Sequence, residues 1–214
     1  MKIAVIGATG FVGTALVKEA LTRGHEVTAI ARSTDKLDGN TSHLTVKAAD
    51  VFKIDALAEI LKGHDAVVST YNAGWTNPNL YDDFINGSEA IQAATKRAGV
   101  NRLLVVGGAG SLYISRNTQL VDSPEFPAEW KTGATAARDY LNTLRKETGL
   151  DWTFLSPAIN LHPGERTGKF RLGTEHPVFD AQNKSEISVE DMAVAIVDEL
   201  ENNQFVRQRF TLGY

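Results

Sequence analysis

The stretch Gly7-Ala8-Thr9-Gly10-Phe11-Val12-Gly13 decides how this chain folds, because of what stands on either side of it. Before it, Lys2-Ile3-Ala4-Val5-Ile6 is an apolar run of strand length. After it, Val12, Leu16 and Ala20 recur at helical spacing until Gly24, which suits a C-terminal cap. A glycine-rich turn between a strand and a helix has a mechanism that the same letters lack elsewhere. Glycine permits the tight turn and lets backbone N–H groups approach a pyrophosphate, while the helix N-terminus adds roughly half a positive charge. Gly13 can let helix and strand pack closely. Two other readings compete: a strand–helix turn that merely needs small residues, and a Walker A loop. The second fails because Thr14, not lysine, follows Gly13.

Outward from this turn, apolar runs alternate with helical periodicity to the end of the chain. Strands are expected at Val27–Ala31, Leu44–Ala48, Asp65–Thr70, Leu103–Val106, Trp152–Leu155 and Phe210–Gly213. Helices are expected around Leu57 and Leu61, through Phe84 and Ile91 to Gly99, over about Ala134–Thr148, and from Ser188, where Ser188-Val189-Glu190-Asp191 has the form of a capping box. The pattern predicts an α/β fold with a doubly wound parallel sheet of Rossmann type, a single domain over 1–214 with irregular substrate-side segments at about 107–127 and 157–187.

Composition narrows the function. A chain of 214 residues, 43% hydrophobic, can bury one substantial core. The sequence has no cysteine, which removes disulfides and thiolate chemistry and suits a reducing, cytoplasmic setting. Gly7 and Thr9 interrupt the first apolar run before a signal segment or membrane span could form. A net charge of -4 with interspersed signs offers no basic stripe, so nucleic acid is not an expected partner. The 5 histidines are scattered without ligand spacing, and no metal site is expected.

The glycines at 7, 10 and 13 follow a G-x-x-G-x-x-G spacing. With Ile6 before them, they resemble the extended and atypical short-chain dehydrogenase/reductases. Asp50-Val51, Val105-Val106-Gly107-Gly108-Ala109-Gly110-Ser111, Trp152-Thr153-Phe154-Leu155-Ser156-Pro157, Ile187-Ser188-Val189-Glu190-Asp191-Met192-Ala193 and Arg209-Phe210-Thr211 carry the resemblance across most of the chain. It is strongest to small NAD(P)H-binding proteins akin to NADH-flavin reductases and NmrA-like proteins. The resemblance implies a nicotinamide dinucleotide held by Gly7, Thr9, Gly10, Phe11, Val12 and Gly13 of the turn, by Arg32, by Asp50 and Val51 near the adenine, by Thr70 and Tyr71 after the fourth strand, and by Pro157 after the sixth.

NAD enzymes of this fold usually place an acid at the end of the second strand for the ribose hydroxyls. Here that place reads Ala31-Arg32-Ser33, with Lys36 close behind. A guanidinium can stack on adenine and pair with a 2′-phosphate, which favours NADP(H) over NAD(H), although an arginine at a strand end can also be merely solvated.

The superfamily's usual catalytic pair is a tyrosine followed four residues later by a lysine. Tyr113 is followed at that distance by Asn117 and Tyr140 by Leu144, and Thr132-Gly133-Ala134-Thr135-Ala136 offers neither residue. Ser111 and Tyr113 are the remaining catalytic candidates, Ser111 also reading as a local cap. His162, before a proline, reads as an acid or a loop residue; Trp75 reads as a stacking surface for a flat acceptor or a cover for apolar surface. The expected activity is hydride transfer from NAD(P)H, NADPH favoured, to a small flavin- or quinone-like acceptor needing little acid help. The alternatives are an NADP(H)-sensing regulator without chemistry and, third, an NAD-dependent epimerase or dehydratase, which the missing pair argues against.

Overall fold

The computed structural model describes residues 1–35, 37, 39 and 42–214. In chain order the first half runs β1 (Lys2–Ile6), α1 (Phe11–Thr22), β2 (Glu26–Ala31), β3 (Leu44–Ala48), α2 (Ile54–Leu61), β4 (Ala66–Ser69), α3 (Leu80–Arg97) and β5 (Arg102–Val106). The second half runs β6 (Tyr113–Ser115), β7 (Thr118–Gln119), α4 (Ala128–Leu144), β8 (Asp151–Ser156), β9 (Asn160–His162), β10 (Arg171–Gly173), β11 (Glu186–Ser188), α5 (Val189–Asn202) and β12 (Gln208–Gly213).

The central sheet has 8 strands in the order β10-β12-β8-β5-β4-β1-β2-β3. Neighbours pair in parallel except at the edge, where β10 runs antiparallel to β12. The chain winds outward from β1 on one side to β2 and β3, and on the other to β4 and β5. This reversal between β1 and β4 opens a crevice at the carboxyl ends of the strands, the Rossmann arrangement.

Two apolar layers hold the helices on the sheet. On one face Leu16, Val17 and Ala20 of α1 and Met192, Ile196 and Leu200 of α5 pack on Ile3, Val5, Leu155 and Phe210. On the other, Leu57 and Leu61 of α2, Ile91 and Ala94 of α3 and Tyr140 and Leu141 of α4 pack on Ala4, Ile6, Val67, Leu103 and Phe154. Each fully buried Leu, Ile or Phe contributes about 1.5–3 kcal/mol relative to exposure. Every residue of β4 is buried, which explains why Ala-Val-Val shows no polar alternation. α1 ends as its sequence suggests: the Gly24 N–H donates to the Leu21 carbonyl and the His25 N–H to that of Ala20.

Three features differ from the sequence reading. α4 starts at Ala128, not near 134, because its first turns expose Glu129, Trp130, Lys131 and Thr132 and so carry no apolar period. The segment at 107–127 holds two short 3-10 turns, Ala109–Ser111 and Leu120–Asp122, and the β6–β7 hairpin. The segment at 157–187 contributes the edge strand β10 and β9, which pairs in parallel with β11. Three-residue strands are too short for a period of two to register. No helix among the described residues is long and apolar enough to cross a membrane.

Candidate functional site

The glycine turn is built from the backbone outward. Gly7 leaves β1 at φ +85°, and its N–H and that of Ala8 both donate to the Ile30 carbonyl, at 2.9 and 3.2 Å. The turn closes with the Gly10 N–H on the Gly7 carbonyl, 2.9 Å, and α1 begins with Thr14 N–H on the Gly10 carbonyl, 2.9 Å. Gly13 in the first turn of α1 lies directly over Gly7, and an added Cβ would come within 2.8 Å of the Ala8 Cα. Gly10 caps α1 with no side-chain hydrogen bond, and no acid lies in the first turn. The first N–H groups of the helix therefore have no intrahelical acceptor and no competing carboxylate. A pyrophosphate fits this cradle of N–H groups and missing Cβ atoms.

The flanks of the turn come from β2, β3 and β4. The Thr70 N–H and hydroxyl both donate to the Ile6 carbonyl at 2.9 Å, and the hydroxyl reaches the Gly7 carbonyl at 3.1 Å. Thr70 thus fixes the turn by its hydroxyl. Arg32 is exposed just past β2, and Ser33 donates to Asp35 at 2.8 Å. Lys36 lies outside the described residues. Asp50 accepts the Phe52 N–H at 3.0 Å, and Val51 is buried beside it. Tyr71 turns toward α3: its hydroxyl donates to the Asp83 carbonyl at 3.0 Å and its ring stacks on Phe84. Its pKa is raised, chiefly by burial and then by Asp83, while Arg32 opposes the shift.

Beyond β5 the geometry is closed. Ser111 has no exposed surface; its hydroxyl lies 3.3 Å from the Gly108 carbonyl, 3.1 Å from the Ser156 hydroxyl and 3.0 Å from Nη1 of Arg209. The same Nη1 donates to the Ser111 carbonyl at 2.6 Å, and the other amino group pairs with Glu175. Burial lowers the Arg209 pKa against the pull of Glu175. Tyr113 donates its N–H to the Glu175 carbonyl at 2.9 Å, accepts His176 on its own carbonyl at 2.7 Å, and has the Arg209 guanidinium 5.9 Å from its ring centre. Ser111 and Tyr113 are therefore joined, through Arg209 and Glu175, in one structural network. Pro157 is buried where the chain leaves β8, and His162 bonds locally to the Pro163 carbonyl at 2.9 Å.

A cleft of about 440 Å³ starts at Thr9, Gly10 and Phe11 and runs along α1 beneath Pro163 and Arg166. The strip above it is fastened on both sides. Arg166 makes two bonds to Glu19, 2.7 and 2.8 Å, and the Gly164 N–H donates to Glu190 at 2.9 Å. The Asp191 carboxylate accepts the N–H groups of Thr167 and Gly168 at 2.8 and 2.7 Å and the Tyr214 hydroxyl at 2.9 Å. Ser188 does cap α5, accepting the Asp191 N–H at 3.0 Å, but the Asp191 side chain crosses to this strip instead of returning to the cap. Sequence reasoning had both partners of that cap but no signal for the strip, and none for Arg209 as the binder of Ser111. Trp130, which meets Trp75, was also missed, since nothing near it repeats. Among the described residues no group of three or more His, Asp or Glu could hold a metal.

A sequence profile of a family described as NAD(P)H-binding matches residues 7–203. Along 99% of this chain and 98% of its own length, the uncharacterised protein YwnB of Bacillus subtilis (strain 168) is 40% identical. A crystal structure from Bacteroides thetaiotaomicron, provisionally described as an epimerase, superposes with a TM-score of 0.93 at 48% identity, covering 100% of this chain and 96% of that one. Another from Streptococcus pneumoniae TIGR4, provisionally described as an NADH-flavin reductase, gives a TM-score of 0.86 at 39% identity over 100% and 99% of the two chains.

Proposed function

The chain belongs to the NAD(P)H-binding family, and from that premise we propose that it is a reductase that uses NADPH to reduce a flat flavin- or quinone-like acceptor. One observation carries the reading: an uncapped helix start over a glycine cradle is combined with a post-β5 segment whose serine is wholly enclosed. The first group suits a dinucleotide; the second keeps the Ser111 hydroxyl from moving a proton. The Tyr/Lys pair is absent as well.

When bound, the reduced nicotinamide supplies a hydride. Thr9, Phe11, Val12 and Gly13 would offer the pyrophosphate their backbone N–H groups, while Gly7 and Gly10, whose own N–H groups close the turn, would give it room; Arg32 would meet the 2′-phosphate, and Asp50 and Val51 would border the adenine. Tyr71 shapes this flank from behind, and Pro157 borders the nicotinamide end. The protein orients the two rings and excludes water between them. A flavin or quinone takes up the hydride and one solvent proton to give the dihydroflavin or quinol, so no side-chain acid is needed. Ser111 and Tyr113 support the framework. The epimerase description of the Bacteroides relative would demand proton-transfer groups at the crevice, which the enclosed Ser111 does not provide.

Steady oxidation of NADPH on adding riboflavin or menadione, followed by loss of reduced-nicotinamide absorbance, tests the reading. Tight cofactor binding with no oxidation above the protein-free rate would overturn it in favour of a dinucleotide sensor.

A further inference from the structure

We propose that the indoles of Trp75 and Trp130 form the corner against which the acceptor's planar ring system stacks; this rests on the reductase reading and assigns its acceptor subsite. Trp75 lies in the connection from β4 to α3 and Trp130 in the first turn of α4. Both stand at the carboxyl edge of the sheet, where the glycine turn also lies.

The rings meet edge to face, centroids 4.8 Å apart and planes at 88°. They are 53% and 46% exposed. Such a pair presents two faces at a right angle, so a flat ring can lie on one indole while its rim meets the other. Trp152 donates its indole N–H to the Glu147 carbonyl, whereas neither Trp75 nor Trp130 has an acceptor for its N–H among the described residues. Quinone and isoalloxazine rings carry carbonyl oxygens that could take those bonds.

The corner is held in place. Trp75 lies against Gly133 of α4, where an added Cβ would fall 2.7 Å from its Cζ3 and 3.3 Å from Leu80 Cδ2. Glycine inside a helix costs about 1 kcal/mol relative to alanine, and here its bare backbone is what admits the ring. The loop that carries Trp75 is braced by Asn77, which donates to Asp83 at 2.8 Å and to the Ala73 carbonyl at 3.3 Å, and by Asn72, which accepts the Gly74 N–H at 2.7 Å.

The test is riboflavin binding to protein saturated with NADP⁺, read by equilibrium dialysis and by quenching of tryptophan fluorescence. Stacking on an aromatic side chain is lost about five- to a hundredfold on substitution by alanine, so Trp75→Ala and Trp130→Ala should each weaken riboflavin by that factor. Gly133→Ala should do the same with both indoles still present, while Trp130→Phe, which keeps a ring, should lose much less. NADP⁺ affinity should not change in any of the four. Unchanged riboflavin affinity in both alanine variants would overturn the proposal, as would a wild type that binds neither riboflavin nor menadione. The readout needs no turnover, so the two ideas fail separately. Indole-dependent binding without NADPH oxidation sinks the reductase reading alone; oxidation with an unaltered riboflavin KM in the variants sinks the corner alone.

Discussion

Gly13 stands over the Gly7 carbonyl so closely that any side chain at 13 would collide with the backbone of the turn that α1 rests on. Gly10 differs, since a Cβ there would meet only the Gly7 carbonyl oxygen, at 3.2 Å. The two glycines therefore separate folding from binding. Gly13→Ala should destabilise the protein by about 1–3 kcal/mol, the range for overpacking a filled site, as read by chemical denaturation. A denaturation midpoint equal to wild type would show that α1 does not rest on the turn.

Gly10→Val should leave the fold assembled and abolish dinucleotide binding, because the branched side chain occupies the approach of the pyrophosphate. Isothermal titration measures this directly. Affinity for NADH and NADPH equal to wild type would remove the dinucleotide from this turn.

Arg32 gives the sharpest test of cofactor choice. A hydrogen bond to a charged group contributes about 1.5–3 kcal/mol, so Arg32→Ala should weaken NADPH about ten- to a hundredfold and NADH much less. Arg32→Asp should shift preference toward NADH. Equal losses for both cofactors would reduce Arg32 to a stacking surface, and a wild type preferring NADH would refute the assignment.

Ser111→Ala removes a hydroxyl bonded to Ser156 and Arg209 but leaves Arg209 its bond to the Ser111 carbonyl. The expected cost is about 1 kcal/mol, or roughly 2–4 °C in Tm for a chain of this size, with kcat unchanged. A large fall in kcat at unaltered Tm would return Ser111 to the chemistry.

Glu147 sets part of the acid limit of stability. Burial works against its charge, but bonds from Lys96, Gly149 and Gln92 outweigh burial and hold its pKa below the ordinary value. A depressed carboxylate contributes stability that is complete above its unfolded pKa and is lost as pH falls through the folded one. Stability should therefore drop below about pH 4.3 in the wild type, and Glu147→Gln should flatten that limb while costing stability at neutral pH. Parallel acid profiles for both proteins would discharge Glu147 from this role.

Most of the fold was legible because each signal was local. The turn at Gly7–Gly13 is bounded by a strand and a helix whose periodic apolar residues, Leu16 and Ala20 among them, reach the core, and α5 declares itself by Ser188 and the repeat of Met192, Ile196 and Leu200. The glycine turn of the candidate site was legible for the same reason. The side beyond β5 was not, because its determinants are remote: Ser111 is enclosed by Arg209, 98 residues away, and Asp191 spends its carboxylate 24 residues back. A side chain's spacing along its own element does not say which distant backbone it will serve. Trp130 had no signal because its value lies in meeting Trp75 at a right angle across two elements.

The strip from Gly164 to Gly168 has no regular secondary structure, yet Glu190 and Asp191 at the start of α5 hold three of its amides. An amide exchanges with solvent only when its bond opens, and opening at Thr167 or Gly168 would also take donors from the fully buried Asp191 carboxylate. The Thr167 and Gly168 amides should therefore exchange on the timescale of α5 itself and that of Gly164 faster, so that one wall of the crevice is fixed at its Asp191 end and ligand traffic falls to the Trp75 side.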